Sequence, residues 1–555
     1  MFPERRLTTH RTRLILISIF VVFTFGLFIL ILALKFANPF KVSIYNYESY
    51  LDKQIVNKLK KNYSYHVFTN LDEFTRAINN KKAVAGIGSD YQIAQLIYDK
   101  KLRKINFELA YGKKFNTDED IKNNYPDLVN NQFNHFDNWI IEKIKKDNPQ
   151  NNVQANWDKM NYDDFKPFLY KDEATGKITG FEIDGKPGQD HFYHFLIPYF
   201  ILDKMIVYNT DKEPSDSTSR SNLKPGSTFD DVKSQTTWED IIKTLASKYK
   251  KPRVYWTNWF QDNAMIGEFY GYESNKEPNY LVNGEWAPMA ADNYKQIIDY
   301  FLKLVKTATS ASIKDSNINK LVTDGQELVS SIIEPRDGKS DISIMYNGDA
   351  LDAYYGKDNF ERLGDDPHIG FIRPKHNYMN IDAWIISRDT DDEDANKLLK
   401  ILHDNLFAGS FLSVKEIEKQ YIDNVYKLLI ENNNNENYYI QNLYKNSQRT
   451  EAKDISEITE KFFKENYDFF QEAFADESLP VINNFNTINY TPGFANVNSF
   501  LEKWYFLNDN KIVDAKALEI FNPKSNSTVQ HRAYQPLDLE LKTLFIDYYY
   551  QKTKS

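Results

Sequence analysis

A chain of 555 residues exceeds the ~100 to 200 of one compact domain, and 41% hydrophobic and 15% aromatic against 26% charged residues describe a folded protein with two or more lobes. The absence of cysteine excludes disulfides, thiolate metal sites, iron–sulfur clusters, cysteine nucleophiles and cysteine-linked lipid anchors. A net charge of −9 without a basic stripe argues against nucleic acid as the main partner.

Leu14 to Leu34 is a run of 21 residues without a charge. As a helix it measures about 31 Å, enough to cross a hydrocarbon core of ~30 Å. Arg5, Arg6, Arg11 and Arg13 precede it and only Lys35 follows closely, so the positive-inside rule puts the N-terminus in the cytoplasm and the chain beyond Phe40 outside. A cleaved signal peptide would have an apolar region of ~7 to 15 residues and a small-x-small site, and Leu34-Lys35-Phe36-Ala37 is a poor cleavage sequence. The expectation is therefore a single-pass cell-membrane protein with its bulk extracellular. Residues 1–40 carry a net +4, which leaves −13 for the rest. Such an acidic surface is congenial to a cationic ligand, but taken alone it is better explained by solubility.

After the anchor, Lys41–Tyr47 reads as a strand and Asp52–Leu59 as a helix with Ile55, Val56 and Leu59 on one face. A strand at Tyr65–Phe68, a helix near Leu71–Ile78, a strand at Ala83–Ile87 and a helix at Tyr91–Tyr98 continue the alternation, which implies a parallel sheet covered on both faces. Ligand-contacting residues in such folds lie beyond the carboxyl ends of strands. Residues 115–192 are polar and Asn-rich, with a helical stretch at Trp139–Lys146, and read as an insertion. Ile197–Asn209 resumes strand character, and 211–237 is a loop closed by Thr237-Trp238-Glu239-Asp240, a helix start. Further strands are expected at Ile342–Tyr346, Ile369–Ile372 and Ala383–Ile386, a helix at Asp394–Leu406, and a low-complexity loop at Asn432–Asn437.

Familiar catalytic and metal motifs are weak. Asp190-His191-Phe192-Tyr193-His194 lacks a third ligand, Asp391-Asp392-Glu393-Asp394 lacks the glycine of a calcium loop, and Gly86-Ile87-Gly88 lacks the third glycine or lysine of a phosphate cradle. No cofactor is implied. What stands out is a set of polar-aromatic clusters at the ends of β-type runs: Tyr45 to Tyr50, Gly88 to Tyr91, Tyr255 to Asp262, and Met345 to Asp349. Aromatic faces attract ammonium groups by ~0.5 to 2 kcal/mol and carboxylates add charge-assisted hydrogen bonds, so the combination suits an organic cation.

In chain order, IYNYESYL (44–51), GSDYQI (88–93), HFLIPYFILDKMIVYN (194–209), TTWEDI (236–241), PRVYWTNWFQD (252–262), MYNGDALDA (345–353), RPKHNYMNIDAWIIS (373–387) and AYQPLDLELKTLFIDYYYQKTK (533–554) resemble segments of the spermidine/putrescine-binding proteins of polyamine ABC transporters. The resemblance implies an α/β, two-lobed type II periplasmic-binding-protein fold behind the transmembrane helix. It also implies a first lobe over 41–205, completed by about 380–430, and a second over 206–379, completed by about 431–555. Carried across, the family's roles make Tyr47, Tyr50, Tyr91 and Tyr346 an aromatic box, with Ser89 as a hydrogen-bonding neighbour. Asp382 would hold an inner amine, Trp259 and Asp262 fall where the family has two acids, Gln535 would bind a terminal amine, and Glu48 could restore the missing charge. Tyr47 and Tyr346 replace tryptophans, and Asn380 replaces an aromatic. The implied function is capture of a polyamine for ABC permease subunits and their cytoplasmic ATPase, without catalysis. A different solute on the same fold, or an adhesin derived from it, is the alternative.

Overall fold

The computed structural model describes residues 4–37, 41–68, 71–152, 164–210, 222–275, 281–282, 285–286, 288–334, 339–356, 368–431, 442, 444–445, 455–476, 479–508 and 510–554. The low-complexity loop at 432–437 and residues 211–221 of the long loop lie outside them. The first element is the helix Glu4–Ala37, whose Arg13–Leu30 segment has a mean hydropathy of 2.6 and buries nothing against the rest of the chain.

Fifteen strands are described: β1 (Ser43–Tyr47), β2 (Ser64–Phe68), β3 (Ala83–Ser89), β4 (Phe168–Lys171), β5 (Ile178–Glu182), β6 (Ile197–Asn209), β7 (Val254–Thr257), β8 (Leu281–Val282), β9 (Glu285–Trp286), β10 (Asn319–Val322), β11 (Ile342–Tyr346), β12 (Ile369–Ile372), β13 (His376–Ile386), β14 (Thr491–Pro492) and β15 (Gln530–Ala533). β4 pairs with β5 and β8 with β9, and the rest form one path, β10-β7-β11-β6-β13-β3-β1-β2, with β12 and β14 on β6 and β15 on β13. The architecture is mixed α/β. β1, β2 and β3 are mutually parallel, as the alternation of strands and helices predicts.

Two strands tie this path together. β6 pairs with β13 as far as Asp203 and with β11 from Lys204 onward, so its partner changes at that peptide. β13 returns, paired with β15 at His376–Met379 and with β3 at Asp382–Ile386. It starts earlier than the expected Ala383 because polar His376, Asn377 and Asn380 hide a strand whose residues are nearly all buried. All 13 residues of β6 are buried as well, in keeping with a nearly continuous apolar run inside a sheet covered on both faces.

Around this path the helices follow local rules. Asp52 and Thr237 cap their helices by accepting from the Gln54 and Asp240 amides at 2.8 and 3.1 Å, and Asp391 caps Asp392–Leu402 by accepting from the Asp394 amide at 2.7 Å. The helix predicted to Leu406 changes at His403 to a π-turn, His403–Phe407. The insertion is less polar inside than its composition suggests: helix Asp127–Asp147 buries Val129, Phe133, Phe136, Ile140 and Ile144. Helices between Val414 and Trp504 pack on one another and reach first-lobe residues, where Asn484 bonds the Asp52 amide and the Tyr199 hydroxyl. The last helix, Leu539–Thr553, packs against the second-lobe helices Phe260–Asn275 and Tyr294–Thr309.

Those two second-lobe helices cross at Gly267. A Cβ there would run into the Ile297 carbonyl oxygen, a backbone atom that cannot rotate away. Gly267→Ala is expected to destabilise the protein by about 1–3 kcal/mol, outweighing the ~1 kcal/mol that alanine gains in helix propensity. Denaturant unfolding measures it, and a variant as stable as the parent would contradict the close approach.

Candidate functional site

The antiparallel register of β3 and β13 sets Ser89 opposite Asp382. Directly opposed residues share a face, and the Ser89 hydroxyl donates to Asp382 Oδ1 at 2.6 Å. Asn380, two residues back on the same strand face, donates to the same oxygen at 3.0 Å, and the Tyr50 hydroxyl donates to Oδ2 at 2.9 Å. Tyr47 ends β1 with its hydroxyl 3.3 Å from that of Ser89 and its ring edge-on to Tyr50 at 5.4 Å. Burial pushes the Asp382 carboxyl up to about 6, even though its three donors favour the anion. Among the described residues no Lys, Arg or His pairs with it.

The second lobe repeats the device with different chemistry. β11 and β6 set Tyr346 opposite Lys204, and the Lys204 ammonium lies 3.4 Å from the centre of the Tyr346 ring. It also lies 2.8 Å from Asp262 Oδ2 and donates to the Thr257 hydroxyl at 2.8 Å. Asp262 stands in the first turn of the helix after β7, where an acid is favoured by the helix dipole. Its Oδ1 accepts from Tyr534 at 2.6 Å and from Tyr346 at 3.1 Å. Burial pushes the Lys204 ammonium down, and Asp262 opposes that shift.

Two side chains lie beside these groups. Tyr91 stacks on Tyr534 with ring centres 4.9 Å apart, and the Tyr534 hydroxyl reaches Asp262. The phenols of Tyr47 and Tyr91 are held well above their ordinary range, first by burial and then by the charges of Asp382 and Asp262. They therefore remain protonated donors at neutral pH. The result is a box of tyrosines that holds two carboxylates, Asp382 and Asp262.

Of the residues singled out from sequence, Tyr47, Tyr50 and Ser89 gather at Asp382, Tyr346 bonds Asp262, and Tyr91 reaches Asp262 through Tyr534, while the Trp259 ring packs on Phe260. Glu48 does not: it is exposed in the turn after β1, beside Ser49 with φ of 54°, so it does not replace a buried carboxylate. Gln535 does not either. Its amide bonds both backbone groups of Met289, at 2.6 and 3.0 Å, and lines a separate cleft of about 480 Å³ with Trp139, Lys143 and Leu541. Its neighbour Tyr534 takes the place in the box, since successive residues of extended chain face opposite ways. Lys204 was not singled out either, although a lone lysine inside IPYFILDKMIVYN is a visible signal that a buried partner must exist.

The weaker motifs resolve into structural roles. His191 pairs with Asp137 at 2.8 Å and His194 with Asp118 at 3.5 Å. Asp190 instead gathers with Glu182 and Asp184, whose carboxylate oxygens lie within 4.8 Å of one another, and Lys104 bridges Asp184 and Asp190. A Cβ on Gly86 would strike the Tyr45 carbonyl and the Phe74 ring, so this glycine serves the approach of strand and helix.

No family model matches the sequence, and no curated protein matches it. Among solved structures the chain is similar to the spermidine/putrescine ABC transporter substrate-binding protein PotD from Streptococcus pneumoniae in complex with calcium and HEPES, at 12% identity over 92% of this chain and 98% of that one, with a TM-score of 0.43. It is similar to the TpPotD lipoprotein of Treponema pallidum at 11% identity over 67% and 83%, with a TM-score of 0.35. It is also similar to the periplasmic-binding protein MotA from A. tumefaciens B6 in complex with glucopine, at 11% identity over 65% and 78%, with a TM-score of 0.34.

Proposed function

We propose that this chain is a membrane-anchored extracellular receptor that captures an organic ammonium solute, polyamines such as putrescine and spermidine included, and hands it to the permease of an ABC importer. It binds its ligand and does not transform it. The observation that carries this reading is Asp382, a carboxylate with 3% exposure, held by three neutral donors in a box of tyrosines and paired with no cation of the chain among the described residues. A buried anion in that state is most favourably completed by an ammonium group. With Asp382 on one lobe and Asp262 on the other in this reading, a ligand touching both sides would favour the closed arrangement over the open one, and the permease could read that difference. The helix Glu4–Ala37 would keep the receptor near its permease and raise the effective concentration.

Calorimetric titration of the full chain in detergent with putrescine, spermidine and spermine tests the reading. Saturable binding is expected near neutral pH. The Asp382 carboxyl is pushed up to about 6, and only its ionised form pairs with an ammonium, so affinity should fall as pH drops below about 6, approaching tenfold per unit. Absence of binding to all three amines and to the monoamine n-butylamine, or binding that strengthens with acid, would refute it.

A further inference from the structure

The two carboxylates of the box are not equivalent. Asp382 meets only neutral donors, whereas Asp262 already holds an ammonium, that of Lys204. The Lys204 group is 0% exposed and satisfied on three sides, by the Asp262 carboxylate, the Thr257 hydroxyl and the face of Tyr346. Asp262 in turn spends its other oxygen on Tyr534 and Tyr346. An aromatic face, a carboxylate and a hydroxyl around one ammonium are the elements an amine ligand would be offered, and here the chain fills them itself.

We propose that Lys204 is a tethered ammonium occupying the second-lobe amine position, so that the cleft reads a single ammonium on its ligand, at Asp382, and gains nothing from a second one. The proposal rests on the receptor reading above and narrows its ligand class to small organic cations recognised through one amine. The physical reason is charge balance in a buried site. Two carboxylates with one built-in cation leave one negative charge to be matched. A diamine would put its second ammonium next to Lys204, where like charges repel in a low dielectric, or would have to displace a lysine fixed to the central strand. Lys204 therefore acts as the specificity-determining residue, and β6 carries it at the peptide where its partner changes from β13 to β11.

The matched probes are n-butylamine and putrescine, which share a four-carbon skeleton and differ by one ammonium. With the unmodified full chain in detergent, n-butylamine is expected to bind at least as tightly as putrescine. Lys204→Met, which keeps the unbranched stem but omits the terminal ammonium and frees Asp262, is expected to shift the ratio toward putrescine by tenfold or more. Putrescine binding tenfold or more tighter than n-butylamine in the unmodified chain would overturn the inference while leaving the receptor reading intact, and that measurement holds whether or not the variant folds. A folded Lys204→Met protein with an unchanged ratio would overturn it as well. If the unmodified chain binds neither these amines nor spermidine and spermine, the receptor reading fails and the inference falls with it.

Discussion

Asp382→Asn is expected to weaken binding of any ammonium solute by roughly 2–5 kcal/mol, thirtyfold or more, without destabilising the fold. Removing one partner of a buried charge pair has a cost of that size, and the side-chain volume is preserved. The hydroxyls of Ser89 and Tyr50 rotate, so they can accept from an amide as readily as they donate to a carboxylate. Linkage sharpens the contrast. A carboxyl raised to about 6 by burial binds its proton more tightly folded than unfolded, so its ionisation costs stability as pH rises from the ordinary carboxylate range through about 6. The neutral amide escapes that cost, and at neutral pH the variant should unfold at the same midpoint as the parent or higher. Calorimetric titration beside thermal unfolding separates the two effects. Binding retained within threefold would remove Asp382 from the site.

Arg373→Met is expected to be the most damaging single change away from the box, at about 3–5 kcal/mol. Asp203 is 0% exposed at the last first-lobe residue of β6. Arg373 grips it with two bonds, Nε to Oδ2 at 2.6 Å and Nη2 to Oδ1 at 3.1 Å, and His531 lies 2.9 Å from Oδ2. Arg373 also donates to the Ile520 carbonyl at 2.7 Å and to the Glu519 carbonyl, tying in a further segment. Burial pushes the Asp203 carboxyl up, but Arg373 and His531 outweigh it and hold the group below its ordinary value. That stability is present above the ordinary carboxylate range and is lost as pH falls through the depressed value, so the gap between parent and variant should narrow toward acid. Urea unfolding at neutral and acidic pH measures it. A gap that stays constant or widens with acid would show that Arg373 acts by packing alone.

The first-lobe alternation, the long buried β6 and the clusters at strand ends were legible because each leaves a local pattern: period two, period 3.6, or a run of apolar residues. The register of β3 with β13 sets Ser89 opposite Asp382, and that of β11 with β6 sets Tyr346 opposite Lys204, so these pairings follow from strand order. Three features were not legible for identifiable reasons. The first half of β13 is rich in asparagine, and its burial depends on β15, about 150 residues later. Gln535 and Tyr534 are adjacent, so an error of one position reverses which side chain faces the box. Lys204 reads as a solitary charge until the register of β11 brings Tyr346 opposite and the helix after β7 brings Asp262 within 2.8 Å.

The place of β13 between β6 and β3 also fixes when the protein can fold during its synthesis. The three parallel strands β1, β2 and β3 are complete once Ser89 has been made, but their antiparallel neighbour β13 ends at Ile386, about 300 residues later. At roughly 5–20 residues per second the edge of β3 waits some 15 to 60 s for its partner. An unpaired strand edge held open that long is a template for the wrong partner, so the interval before β13 is complete is the period in which this chain depends most on protection by chaperones.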